Sequence, residues 1–249
     1  KSEETDEYLF YILKYILTVD HGELTLGTIS LFVGKDYFIS VRDARHSNDY
    51  VLDRAQKAAG ELPPAKLLYL ILDTIVDSFF PSIDKSDEII DALEDRVLDE
   101  PSPETVEGIF DQKRKLIELR RVLVNTRDAC NSMLRDQTDL IPDELYPFFR
   151  DIHDHVLRLL DSVETLRDLL NNTLDVYLSS VANRTNQVMK VLTVLSTMVL
   201  PALVITSFYG MNVKGLPFID AQYGAYYVIA AIVVSTVLML LVMRKARWL

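Results

Sequence analysis

The chain has 249 residues, 37 acidic against 26 basic side chains, a formal net charge of −11, and 49% hydrophobic residues. So acidic a chain is unsuited to nucleic acid as a partner and is compatible with cations. Its single cysteine, Cys130, excludes a disulfide framework within the chain and fits a reducing cytosol.

The charge is not spread evenly. After Asp175 the only carboxylate is Asp220, so an acidic soluble part is joined to an apolar tail. No secretory signal pattern is visible: the first apolar cluster, Tyr8 to Val19, contains Lys14 and follows an acidic stretch. The abrupt opening on Lys1-Ser2-Glu3-Glu4 and the few strands behind it predict an α/β domain that lacks its N-terminal portion.

Residues 1–64 read as part of that α/β cytoplasmic domain. Tyr8 to Leu17, Leu24 to Phe32 and Tyr37 to Val41 have strand character, with a hairpin turn at Val33-Gly34-Lys35-Asp36. Asp49 to Gly60 reads as a short helix closed by its glycine, with Leu62-Pro63-Pro64 as punctuation.

Residues 65–147 form a helical region. Leu67, Leu68, Ile71, Leu72, Ile75, Val76 and Phe79 make one apolar stripe, and Pro81 is expected to bend or interrupt that helix. Asp84, Asp87, Glu88, Asp91, Glu94, Asp95, Asp99 and Glu100 crowd the next run, a pattern that reads as a solvated face. Ser102 suits a cap, with Pro103 and Glu104 in the first turn of a helix from Thr105 to Asp136. Its basic Lys113, Arg114, Lys115, Arg120 and Arg121 are expected to face the acidic helix as an antiparallel pair. Exposed ion pairs contribute only about 0–1 kcal/mol each, so burial of the apolar stripes must hold the two together.

After the turn at Leu140-Ile141-Pro142-Asp143, no helix breaker stands between Phe148 and Pro201. Residues 148–209 therefore read as a long stalk helix continuing into a first transmembrane helix at about 191–209. About 50 unbroken residues make about 75 Å of helix, far more than a bilayer core of about 30 Å, so the charged first part projects into water. Residues 210–222 form an external loop, 223–243 a second transmembrane helix and 244–249 a basic tail. Arg184 and Lys190 precede the first span, Arg244, Lys245 and Arg247 follow the second, and the loop holds only Lys214. Both termini are therefore expected in the cytoplasm, in a cell (inner) membrane, with Trp248, Tyr223, Tyr226 and Tyr227 as interfacial anchors.

Two spans cannot enclose an aqueous path in one chain, so conduction requires several copies about an axis. The first span carries the better pore face: Asn186, Met189, Leu192 or Thr193, Ser196, Leu200 and Leu203 step by three or four residues. Polar rings offer oxygens to a hydrated cation and apolar rings close a narrow pore by dewetting, although small polar residues in spanning helices also serve packing. The second span, with Val228, Ile229, Ile232, Val233, Val237, Leu238, Leu240 and Leu241, reads as the outer, lipid-facing helix. No Asp, Glu, Lys, Arg or His lies within either span, which counts against a proton relay there and favours neutral oxygens. His21, His46, His153 and His155 are the only histidines, and no zinc-ligand spacing, nucleophile elbow or P-loop is present, so neither an enzyme nor a resident cofactor is expected.

Tyr209-Gly210-Met211-Asn212 at the end of the first span resembles the signature of the CorA family of divalent-cation channels. The resemblance extends through Leu174 to Thr193, the Arg114 to Leu123 segment and the basic-aromatic tail, covering about residues 20–249. It implies a funnel-shaped homopentamer with an α+β cytoplasmic domain, long helices and two C-terminal transmembrane helices in a lipid bilayer. It implies passive influx of magnesium, with cobalt and nickel often admitted. Carried over by position, Gly210, Met211 and Asn212 would form the external selectivity site, where neutral oxygens suit an ion that dehydrates reluctantly. Asn186 would line the inner pore, Asp175 would lie deeper in the funnel, and Met189, Leu192 and Leu200 match the apolar constriction. Asp151 falls at an acidic regulatory position where cytoplasmic magnesium would hold the funnel closed, its partner lying in the absent N-terminal portion.

Three positions depart from the family pattern. Leu203 stands where many members have a threonine, Gln187 replaces a frequent glutamate, and the loop Val213 to Asp220 brings Lys214 and lacks an acidic cluster. That loop somewhat resembles the zinc-transporting ZntB branch, yet Met211 is retained where that branch usually departs from methionine. A zinc transporter of the same fold, proton-linked or not, is therefore the alternative, and a non-conducting membrane-anchored scaffold is a third.

Overall fold

The computed structural model describes residues 2–4, 7–20, 23–42, 50–58, 60–99, 101–135, 138–213, 215–218 and 221–245. Lys1, His21, His46, Asp49, Glu100, Asp136, Lys214, Ile219, Asp220, Arg247 and Trp248, named above, lie outside the described residues. The chain divides into two compact units, residues 1–177 and 178–249.

In the first unit β1 (Ser2–Glu4), β2 (Tyr8–Asp20), β3 (Glu23–Gly34) and β4 (Phe38–Arg42) form an antiparallel sheet in chain order. Alternation fixes which face of β2 goes inward: Leu9, Tyr11, Leu13 and Tyr15 are buried. Their cross-strand partners Val33, Leu31, Ile29 and Gly27 are buried too, so the register aligns two apolar rows. The ring of Tyr15 lies over Gly27, where an added Cβ would meet it at 2.6 Å. A bulge between Ile16 and Thr18 then turns Ile16 inward beside Tyr15. The Gly34 amide donates to the Tyr37 carbonyl at 2.9 Å and closes the hairpin expected there. The short β1 was not among the three strands expected from the sequence.

The helices are α1 (Tyr50–Ala58), α2 (Pro64–Asp77), α3 (Phe80–Asp99), α4 (Pro103–Arg135) and α5 (Tyr146–Tyr209), with a 3-10 turn at Asp143–Leu145. The apolar stripe of α2, Leu67 to Val76, is buried and packs on β2 and β3, while α4 packs on β2. Helix α2 ends before Pro81, at Asp77, and Pro81 falls in the first turn of α3, where its missing N–H costs nothing. Ser102 does cap α4, accepting from the Thr105 amide at 3.3 Å. In α5, Phe149, Ile152, Val156, Leu159, Val163, Leu166, Leu170 and Thr173 are buried. Their alternating steps of three and four make a coiled-coil seam that completes the bundle.

The expected acidic–basic pairing of α3 with α4 is not what the structure holds. Lys113 donates to Asn171 Oδ1 at 3.1 Å and Arg120 pairs with Glu164, both on α5. Arg114 pairs within its own helix with Asp111. Lys115 is buried, and the nearby charge from α3 is the like-signed Lys85. Among the described residues no ion pair joins α3 to α4; apolar burial of Ile90, Leu93 and Val97 against the α4 stripe does that work. Thr173 instead ties α5 to α3 through Glu94 at 3.2 Å.

The second unit contains the end of α5 and α6 (Gly224–Lys245). Both helices are long and apolar enough to cross a membrane, and almost nothing in their apolar stretches is buried within the chain.

Candidate functional site: an exposed stripe and the loop that ends it

Helix α5 runs through Pro201, whose ring nitrogen cannot donate to the Thr197 carbonyl one turn back. Threonine hydroxyls reinforce the backbone nearby: Thr193 Oγ1 donates to the Met189 carbonyl and Thr197 Oγ1 to the Thr193 carbonyl, each at 2.7 Å. Thr206 Oγ1 donates to the Ala202 carbonyl at 2.8 Å. Asn186, Met189, Leu192, Ser196, Leu200 and Leu203 are all exposed, and Thr193 is half-buried at the margin of the same stripe.

Besides Thr193 and the terminal Tyr209, the residues of this segment that lose exposure are Val194, Thr197, Met198, Pro201, Ala202 and Ile205. At 3.6 residues per turn their stripe is centred roughly 150° from the one carrying Asn186 to Leu203. From Leu192 onward the candidate pore residues therefore occupy the side of α5 that this chain leaves uncovered, whereas around Asn186 and Met189 the helix is exposed on every side. On α6, Val228, Ile232 and Leu240 are half-buried, whereas Ile229, Val233, Val237, Leu238 and Leu241 are exposed. Only part of the expected lipid-facing set is thus open on the single chain.

At Gly210 the helix stops. Its amide donates to the Thr206 carbonyl at 2.8 Å, Met211 N–H to the Phe208 carbonyl at 3.4 Å, and Val213 N–H to the Met211 carbonyl at 2.9 Å. A Cβ on Gly210 would lie 3.0 Å from the Thr206 carbonyl oxygen, so the tight exit suits glycine. Met211 and Asn212 are exposed beyond it. Gly215, at φ +88°, makes a further turn that only glycine adopts freely.

Asp175 and Asp151 are far from this loop in sequence and lie in the first unit. Asp175 is exposed. Asp151 is 67% exposed and faces His155 Nε2 at 3.7 Å, one turn along α5, while His155 packs edge-on against Phe80. Asp151 also shares a neighbourhood with Asp73 of α2: burial first, then the charges of Asp73 and Asp151, raise the Tyr69 hydroxyl above its ordinary range. Burial and Asp77 raise the Asp73 carboxyl, and Arg54 at 3.4 Å opposes the shift. Asp73 and Asp77 were not singled out from the sequence, because nothing local to α2 says that α5 passes there. Among the described residues no three or more His, Cys, Asp or Glu side chains converge as a metal centre. Asp151 alone in one chain is a single ligand.

The family model described as CorA-like Mg2+ transporter protein matches residues 1–245. The chain belongs to this CorA family. It is 37% identical over 255 aligned positions to the cobalt/magnesium transport protein CorA of Thermotoga maritima, covering all of this chain and 72% of that protein. The complete structure of the CorA magnesium transporter from Methanocaldococcus jannaschii superposes with a TM-score of 0.87 at 25% identity, covering 100% of this chain and 80% of that one. The ZntB cytoplasmic domain from Vibrio parahaemolyticus has the same fold, with a TM-score of 0.60 at 17% identity over 74% of this chain and 72% of that one. This CorA-family chain is accordingly a multi-pass membrane protein that transports divalent cations, chiefly magnesium, and is not an enzyme.

Proposed function

We propose that five identical copies surround a central pathway, lined by α5, through which magnesium enters the cytoplasm passively. The observation that carries this reading is the uncovered stripe from Asn186 to Leu203, which from Leu192 onward lies opposite the half-buried side of the same helix. Gly210, Met211 and Asn212 form the outer site. A single Asn212 has too few oxygens to hold an ion, and a ring of them binds a hydrated cation through its water shell. Further in, Thr193, Ser196 and Asn186 supply polar rings, and Met189, Leu192, Leu200 and Leu203 supply apolar rings that close the path by dewetting. Asp175 lies on the cytoplasmic approach. Asp151 is the regulatory carboxylate, and it needs ligands from beyond its own chain to hold an ion.

The test is flux into liposomes. Purified protein passes magnesium down its gradient, and Asn212→Ala stops it; full flux in that variant would refute the role given to Asn212. Competition by zinc together with acceleration by an imposed pH gradient would instead favour zinc transport by the same fold. A stable monomer or dimer in detergent would exclude the pore and leave a scaffold.

A further inference from the structure

The first unit carries a basic concavity to which the transport reading above assigns no role. A groove of about 510 Å³ is lined by Ile117, Arg120, Arg121, Val124 and Asn125 of α4 and by Arg167 of α5. Its volume falls in the range typical of small-molecule sites. No carboxylate lines it. The nearest acidic partner is Glu164, which accepts from Arg120 Nε and, at 2.5 Å, from a terminal nitrogen of Arg167. One carboxylate thus answers two of the three guanidinium groups. Arg121 makes no ion pair among the described residues, and the Nε of Arg167 is buried there with no hydrogen-bond partner.

Two other arginines of α4 behave differently. Arg114 is answered by Asp111 and Arg127 by Asp128, each within the helix. In a chain of net charge −11, an arginine cluster with one carboxylate for three guanidinium groups runs against the prevailing sign. Guanidinium forks match phosphate oxygens in pairs, which a lysine cluster would not do as well. Ile117, 44% exposed, and Val124 give the groove an apolar wall, and the Asn125 amide can both donate and accept.

We propose that this groove binds a polyphosphate anion of the nucleoside di- or triphosphate class. The phosphates sit among Arg120, Arg121 and Arg167, and the nucleoside lies along Ile117 and Val124 with Asn125 reading its polar edge. Glu164 is the resident competitor: it occupies two of the guanidinium groups in the empty groove and gives them up, in whole or part, to the phosphates.

The test is calorimetric titration of the 249-residue chain in detergent, in magnesium-free buffer containing EDTA, with ATP, pyrophosphate and adenosine as probes. ATP and pyrophosphate bind saturably, more weakly as salt rises, and adenosine does not. Arg121→Glu and Arg167→Gln each weaken ATP binding about tenfold or more, the scale of a lost charge-assisted hydrogen bond. Glu164→Gln tightens it. Arg114→Glu, elsewhere on α4, leaves it unchanged. Arg121 is exposed and makes no ion pair among the described residues, so its replacement keeps the fold, which thermal melting checks. Absence of saturable binding by ATP overturns the proposal. So does an Arg121→Glu affinity equal to that of the parent, or an equal loss in Arg114→Glu. The readout is binding alone, so a negative result leaves the transport reading standing.

Discussion

Removing an ammonium from water costs several kcal/mol unless a partner replaces the lost hydration. Lys115 is 6% exposed, and its Nζ has no hydrogen-bond partner among the described residues. Burial first, and the neighbouring Lys85 second, lower its pKa from the usual lysine range. In the folded state the group therefore holds its proton less tightly than in the unfolded chain, so its charged form detracts from stability at neutral pH. The penalty fades as pH rises toward the unfolded lysine value of about 10.4. Lys115→Met is expected to stabilise the first unit at pH 7 by about 1–4 kcal/mol, with the gain shrinking near pH 10. Denaturation curves at the two pH values measure this, and a variant less stable at pH 7 would show that Lys115 has a partner. Asp73 behaves in the mirror sense. Its raised carboxyl pKa makes its contribution fully favourable only below the ordinary carboxylate range, and that contribution is lost as pH climbs through the raised value. Asp73→Asn should accordingly raise the melting temperature at pH 7 and leave it unchanged near pH 3; equal shifts at both would point to packing instead of charge.

Helix α5 shows how one spacing serves an element. Its seam residues from Phe149 to Thr173 are buried, while Leu157, two positions before Leu159, is 43% exposed. Leu159→Ala should cost about 2–5 kcal/mol in chemical denaturation, because it removes methyl groups and leaves a cavity. Leu157→Ala should stay within about 0.5 kcal/mol. Similar losses for both would mean that the seam is not where the burial is. The Ser102 cap and the Gly34 turn were legible beforehand, and so was the unbroken length of α5; its seam, although written in three-and-four spacing, was not singled out from the sequence. What could not be read was how each helix is rotated about its axis. Lys113 and Arg120 follow an acidic helix in the chain, and adjacency suggests pairing with it, yet they lie on the α5 side of α4. Strand β1 was missed for a related reason: Ser2-Glu3-Glu4 has no apolar alternation, and only its pairing to Leu9, Phe10 and Tyr11 makes it a strand. Of the candidate site, the stripe and the glycine exit were readable in the chain. The neighbourhood of Asp73 and Asp151 joins distant segments and was not.

At the scale of the whole molecule, the proposed assembly can be probed chemically, because the native thiol is silent. Cys130 is 1% exposed and burial pushes its pKa to about 12, so it holds little reactive thiolate. A cysteine introduced at Met189 would then be the only reactive one, and five-fold packing predicts oxidative cross-links between copies. Val233→Cys, on the exposed side of α6, should not cross-link; the reverse pattern would turn the stripe toward lipid. A consequence also follows from the hydroxyls of α5. Thr193 spends its proton on the Met189 carbonyl, and Thr206 spends its own on Ala202. Each oxygen is left with lone pairs alone to present to whatever stands beside it. A ring of such oxygens orients neighbouring waters hydrogen-first toward the wall and oxygen-first toward the axis. That is the polarisation a cation imposes on its own hydration shell, and it is the wrong one for chloride. Discrimination by sign of charge would thus be written into hydrogen-bond direction, with no ionised group to titrate.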